Sequence, residues 1–262
     1  MKNFYHSSHF AMNTRLDIIL WGCEESYYAQ VDNKIHTTIK ALELIYSRFD
    51  NKSELYKLND TAYNNYTKLS NTLLKSINQC LEYSVKTTGY FNIGFLNNQG
   101  MELHDLIEVR SHSNTIKYLY PNVKLDFGGI GKGIALKHIE LILNAYNIEN
   151  AIISFGESSV LTRGKHPHGS YWPFSFQDQH NFGESLKLNN HMVSISGLHN
   201  NTPHIINPES GKLVSDSRAV CIVNNDPIAA EVLSTALIAA PQNLHQQIIK
   251  SFTQEKVLYS KS

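Results

Sequence analysis

Leu125-Asp126-Phe127-Gly128-Gly129-Ile130-Gly131-Lys132-Gly133 is the stretch on which the fold turns. A short apolar run, Val123 to Phe127, enters it as a strand. A helix leaves it and runs to about Tyr146, with Ala135, Ile139, Ile142 and Tyr146 on one stripe. A glycine-rich strand-to-helix turn lets the backbone approach a phosphate, and the helix N-terminus aims N–H groups at it. Lys132 adds a positive charge. Two phosphate loops of defined spacing fail here. A Walker loop needs glycine at Asp126 and a hydroxyl at Gly133. A dinucleotide fingerprint needs glycine or alanine at Ile134 or Leu136. By itself the stretch leaves phosphate binding and a tight structural turn both open.

Outward from this turn, strands and helices alternate. Met12 to Leu20 reads as a strand. Tyr28 to Tyr46 reads as a helix, with Val31, Ile35, Thr38, Ile39, Leu42 and Ile45 on one stripe. Asn71 to Thr87 reads as a second helix, capped by Asn71, stopped near Gly89 and facing inward through Leu73, Leu74, Ile77, Leu81 and Val85. Strands follow at Asn150 to Phe155, Ser175 to Gln177, Lys187 to Leu188, Met192 to Ser196 and Ala219 to Val223. Pro227 opens a last helix that runs to Ala240. The mixture predicts an α+β (mixed α/β) fold.

Composition narrows the function. The 262 residues carry 23 Lys+Arg against 23 Asp+Glu, and 42% are hydrophobic. Zero net charge argues against a general nucleic-acid or membrane-surface binder, since both use a basic field. Cys23, Cys80 and Cys221 are odd in number and widely spaced, with no zinc pattern, so they read as reduced thiols. Leu20-Trp21-Gly22-Cys23 resembles the end of a lipoprotein signal, but Arg15 and Asp17 interrupt the apolar run before it. A secretory signal needs roughly 7–15 apolar residues. The expectation is a cytoplasmic chain with no membrane span.

Two further groups of residues carry chemistry. Glu231 and Thr235 stand at i and i+4 in Ala230 to Ala236, so they share one helical face. A carboxylate and a hydroxyl are hard oxygen donors of the kind magnesium takes beside phosphate oxygens. A helix-start glutamate and a threonine bonded to its own helix would look the same. Pro203-His204-Ile205-Ile206-Asn207-Pro208-Glu209-Ser210-Gly211 reads as a strand ending in a turn, with His204 either structural or a general base.

Taken in order, these segments resemble the ApbE family, the FAD:protein FMN transferases, from Phe10 to about Ala240. Ala11-Met12-Asn13-Thr14 is similar to the family's opening Met-Gly-Thr. Ser47-Arg48-Phe49-Asp50 through Leu58-Asn59 follows its next segment, and Thr88-Gly89-Tyr90-Phe91-Asn92-Ile93 its Gly-x-Phe-Asp-Ile. Asp126 to Gly133 resembles Asp-x-Gly-Gly-Ile-x-Lys-Gly. His204 to Gly211 resembles His-Ile-Ile-Asp-Pro-x-Ser-Gly, and Ala230 to Ala236 resembles Ala-Asp-Ala-x-x-Thr-Ala.

The resemblance implies one T-fold-like domain over residues 1–262, with central sheets flanked by helices. It implies transfer of FMN from FAD to a threonine hydroxyl of an acceptor protein, with Mg2+ as metal and AMP released. Met12, Phe49, Tyr90, Phe91, Asn92, Asp126, Lys132 and Ile206 would contact FAD. Gly129, Glu231 and Thr235 would hold the metal, and His204 or Glu231 would assist the acceptor hydroxyl. Asn92, Asn207 and Glu231 stand where the family usually has Asp, and Ser196-Gly197-Leu198-His199 departs from its Ser-Gly-Asp-Tyr segment. Those departures leave two alternatives open: an FAD-binding protein without transferase activity, and a pyrophosphatase yielding FMN and AMP.

Overall fold

The computed structural model describes residues 4–95, 100–176, 182–197, 204–215, 218–254 and 256–260. Gln177, Leu198, His199 and Pro203 lie outside them. The chain opens with a hairpin, β1 (Phe4–Ala11) and β2 (Thr14–Trp21), in which Ala11 faces Thr14. Met12 and Asn13 both take positive φ, 49° and 59°, and form the two-residue turn. The strand expected from Met12 therefore begins at Thr14, and β1 was not anticipated.

Helix α1 (Glu25–Tyr46) buries Val31, Ile35, Ile39, Leu42 and Tyr46. Ser53 caps α2 (Glu54–Thr61), its hydroxyl accepting from Tyr56 N at 3.1 Å. After β3 (Thr67–Lys68) comes α3 (Asn71–Lys86), capped by Ser70 rather than Asn71. Val85, expected inside, is 67% exposed, and Cys80 and Tyr83 take the buried places. Short elements follow: β4 (Gly94–Phe95), α4 (Leu103–Leu106), β5 (Ile107–Arg110), β6 (Thr115–Tyr118) and β7 (Lys124–Leu125).

The second half supplies α5 (Gly131–Ala145), β8 (Ala151–Phe155), β9 (Ser159–Arg163), β10 (Trp172–Phe174), β11 (Leu186–Leu188), β12 (Met192–Ser196) and β13 (Val220–Asn224). Then come α6 (Pro227–Ala239), α7 (His245–Lys250) and β14 (Lys256–Tyr259). The strand expected at Ser175 to Gln177 lies three residues earlier, where Trp172 pairs with Leu188 and Phe174 with Leu186. The fold is mixed α/β. Its main sheet runs β1-β2-β8-β9-β12-β13-β14, antiparallel throughout the described pairs.

Alternation along the strands sends side chains to two layers. Leu16, Ile18, Leu20, Ile153, Phe155, Met192 and Ile222 join the helices in one core. Trp21, Val160, Val193, Cys221 and Val223 pack against Trp172, Leu186 and Leu188 on the other face. Burial pushes the Cys80 and Cys221 thiols up, so both are inert packing groups. No helix among the described residues is long and apolar enough to cross a membrane.

α5 and α6 lie against each other at close range, and Gly133 makes this possible. A Cβ there would stand 2.7 Å from Pro227 O, 2.9 Å from Glu231 Cγ and 3.0 Å from Ile228 Cα. Two of those atoms are backbone and cannot swing aside. Gly133→Ala is expected to lower stability by about 1–3 kcal/mol through overpacking. Urea denaturation checks this, and an unchanged midpoint would refute the close approach.

Candidate active site

The glycine stretch is held from both sides before it turns. Asn59 Nδ2 donates to Leu125 O at 2.9 Å, and its Oδ1 accepts from Leu125 N at 2.8 Å. Asp126 N donates to Ile93 O at 2.8 Å, which ties the Tyr90–Ile93 segment to the turn. Phe127 is buried against Tyr46, ring centroids 5.0 Å apart. Its carbonyl accepts from Ile130 N and Gly131 N, and no side chain caps the start of α5. The open helix start retains the anion-favouring N–H groups that the sequence suggests.

Asp126 is committed locally. Its Oδ1 accepts from Gly128 N at 2.9 Å and its Oδ2 pairs with Arg48 Nε at 2.9 Å. The Arg48 guanidinium lies 4.1 Å over the ring of Phe49, which is 66% exposed. Phe49, Arg48 and Asp126 thus form one stacked and paired unit, a cation held between a π face and a carboxylate. Sequence reasoning gave Arg48 no role, although it adjoins Phe49. Lys132 Nζ donates to Ser158 Oγ at 2.7 Å, placing the first turn of α5 beside the β8–β9 connection.

Across from Gly129 stands Thr235. A Cβ on Gly129 would lie 3.6 Å from Thr235 Oγ1 and 3.6 Å from Phe91 Cε2. All of α6 is buried except Thr235, which is half-buried. Glu231, one turn earlier, is only 4% exposed. Its Oε1 accepts from Ser159 Oγ at 2.6 Å and from Ser194 Oγ at 2.8 Å. Neither serine was singled out from sequence, since each lies on a strand with no local signal.

The remaining expected contacts have partners of their own. Tyr90 donates to Glu209 Oε2 at 2.7 Å, joining the Tyr90 segment to the His204–Gly211 segment. Burial, and then that bond to Glu209, push the Tyr90 hydroxyl up to about 12, so it remains a donor at neutral pH. Ile206 is exposed and bridges Leu213, and His204 is exposed. Met12 N donates to Glu43 Oε1 at 2.7 Å, so the hairpin turn is fastened to α1.

Asn92 and Asn207 are backbone braces. Asn92 Nδ2 donates to Met101 O at 3.1 Å while its Oδ1 accepts from Gly94 N at 2.8 Å. Asn207 Nδ2 donates to Ala239 O at 2.8 Å, and its Oδ1 accepts from Ser210 N at 2.9 Å. Both amides use donor and acceptor together, which a carboxylate cannot do.

No three His, Cys, Asp or Glu side chains converge as a metal site among the described residues. The three residues expected to hold a metal, Gly129, Glu231 and Thr235, would offer a carbonyl, a carboxylate and a hydroxyl, all hard oxygen. That chemistry fits magnesium, which keeps part of its shell for phosphate oxygens and water.

The sequence model of the ApbE family matches residues 12–258. An FAD:protein FMN transferase from Salmonella typhimurium is 20% identical over 279 residues, covering 91% of this chain and 79% of its own. One from Escherichia coli is 20% identical over 268 residues, covering 87% and 76%. The solved flavin transferase ApbE from Vibrio cholerae superposes with a TM-score of 0.78 at 16% identity, over 96% of this chain and 90% of that one. The Thermotoga maritima ApbE protein gives 0.76 at 19%, over 95% and 90%. The structural likeness speaks for the fold.

Ala239 is the last residue of α6, so Asn207 satisfies one of its end carbonyls. Asn207→Asp would remove that donor and set a negative charge at the negative end of the helix. The expected cost at pH 7 is about 1–3 kcal/mol. The loss should shrink as pH falls below about 4, where a carboxyl regains a proton. Urea midpoints at both pH values test this; equal stability of the variant at pH 7 would contradict the brace.

Proposed function

The chain belongs to the ApbE family, and from that premise we propose that one domain over residues 1–262 transfers FMN from FAD to a threonine hydroxyl of an acceptor protein in a magnesium-dependent reaction. The half-buried Thr235 hydroxyl carries this reading: on a helix buried everywhere else, it faces the Gly129 turn with Glu231 one turn away. Bound magnesium would neutralise charge on the FAD pyrophosphate as it develops.

The step is a phosphoryl-type displacement. The acceptor oxygen forms a bond to the flavin-side phosphorus. The bond from that phosphorus to the bridging oxygen breaks, and AMP leaves with that oxygen. Catalysis of this kind rests on holding attacking and leaving oxygens in line. The chain's residues supply the holding. Gly129 O, Glu231 and Thr235 would hold the metal. The uncapped start of α5 offers N–H groups to the pyrophosphate. Phe49, Asp126, Lys132 and Ile206 border FAD, with Tyr90, Phe91 and Asn92 shaping the wall beside it and Met12 the hairpin end.

His204 takes the proton from the acceptor hydroxyl. It is exposed, whereas Glu231 is buried with Oε1 already accepting two hydroxyls. An imidazole titrates near neutrality and suits the task.

The test incubates the protein with FAD, Mg2+ and a threonine acceptor peptide, with a no-peptide control. Mass spectrometry should find FMN on the peptide, and chromatography should find AMP, both lost on chelation. Thr235→Ala and Glu231→Ala should each cut transfer by at least ~100-fold, as removal of one charge-stabilising group does. Undiminished turnover in either variant would refute the metal assignment. AMP with free FMN in the control would indicate hydrolysis, and retained FAD without product a binding protein.

A further inference from the structure

Glu231 does not stand alone beneath the site. Ser159 on β9 and Ser194 on β12 both give their protons to the same oxygen, Oε1, at 2.6 and 2.8 Å. A hydroxyl has one proton. Ser194 has spent its own on Glu231, so it can only accept across its 2.9 Å contact with Ser234. The Ser234 hydroxyl also reaches the Glu231 backbone carbonyl, to which it donates at 3.1 Å, and lies 2.9 Å from Ser196. Glu231 is thus engaged at Oε1 by Ser159 and Ser194 and at its carbonyl by Ser234.

Ser159, Ser194 and Ser234 are enclosed, while Ser196 is half-buried. Ser159 and Ser234 are fully buried and Ser194 is 2% exposed. Ser194 and Ser196 are two apart on one strand, so both face α6. On the opposite side, Glu231 Cγ is confined by Gly133, where even a Cβ would come within 2.9 Å. Among the described residues, no hydrogen bond engages Oε2.

We propose that Ser159 and Ser194, backed by Ser234 and Ser196, are positioning residues that clamp Glu231 by one oxygen and leave Oε2 as a single-oxygen metal ligand. This rests on the metal reading of Glu231 above. The clamp gives the longer carboxylate a fixed reach. Magnesium demands near-ideal octahedral geometry, so a free glutamate rotor would be a poor ligand. Hydrogen-bond partners that orient a ligand typically affect metal affinity by about 10–100-fold.

The experiment titrates the full chain with Mn2+ in the presence of FAD, reading free Mn2+ by electron paramagnetic resonance. Wild type should bind, and Glu231→Ala should not. Ser159→Ala and Ser194→Ala should each weaken Mn2+ by about 10–100-fold. In Mg2+-dependent turnover, their apparent KM for the metal should rise while kcat at saturating metal largely recovers. Glu231→Asp, one methylene short of both serines, should bind Mn2+ more weakly than wild type, and it keeps the answer available if a serine variant misfolds. Melting curves identify such a variant. Unchanged Mn2+ affinity in both folded serine variants overturns the clamp, as does tighter binding by Glu231→Asp. A wild type that binds no Mn2+, with Glu231→Ala indistinguishable from it, overturns the metal reading and the clamp with it.

Discussion

The close contact of α5 with α6 at Gly133 is the constraint on which the site depends. With no side chain at that point, Pro227 O and Ile228 Cα come within 3.0 Å of where a Cβ would sit. The helices can then run so near that Gly129, just before α5, faces Thr235 on α6. The same approach leaves Glu231 no room toward α5. Its carboxylate goes to the sheet, where β9 and β12 offer Ser159 and Ser194. One absent methyl group therefore decides both the approach of Gly129 to Thr235 and the direction of the Glu231 carboxylate.

Around that contact, three asparagine side chains hold backbone groups. Asn59 grips Leu125 by both edges of its amide, and Asn92 and Asn207 brace two more turns in the same way. Asn92 and Asn207 each donate and accept at once, a pairing that an ionised carboxylate could not make. The acid of the local turn is Asp126, shared between the Gly128 amide and Arg48. Arg48 in turn lies on Phe49 and gives the site an aromatic and cationic rim.

Much of this was legible in the chain. The helices at Asn71 and Pro227, the strands at Ala151, Met192 and Val220, and the turn at Gly128 fall where periodicity and glycine put them. The misses have local causes. Met12 takes a positive φ that a hydrophobic pattern does not reveal, because the demand comes from a two-residue turn between paired strands. Val85 continues an apolar stripe by spacing but points outward, where α3 has no neighbour to cover it. Trp172, not Ser175, opens its strand, because its partner Leu188 fixes the register.

By itself, the sequence determined the order of the segments, the glycine turn, and the oxygen chemistry of Glu231 and Thr235, since helical spacing and donor type are local properties. Tertiary structure alone decided where the Glu231 carboxylate points, which amides are braces, and that Arg48 belongs to the rim. For Glu231, Asn207 and Arg48 the physical reason is the same. The deciding partners lie far off in the chain, Ser159 at 72 residues from Glu231 and Ala239 at 32 from Asn207. A hydrogen bond is fixed by distance in space, and only the packed helices and sheet bring those atoms within reach.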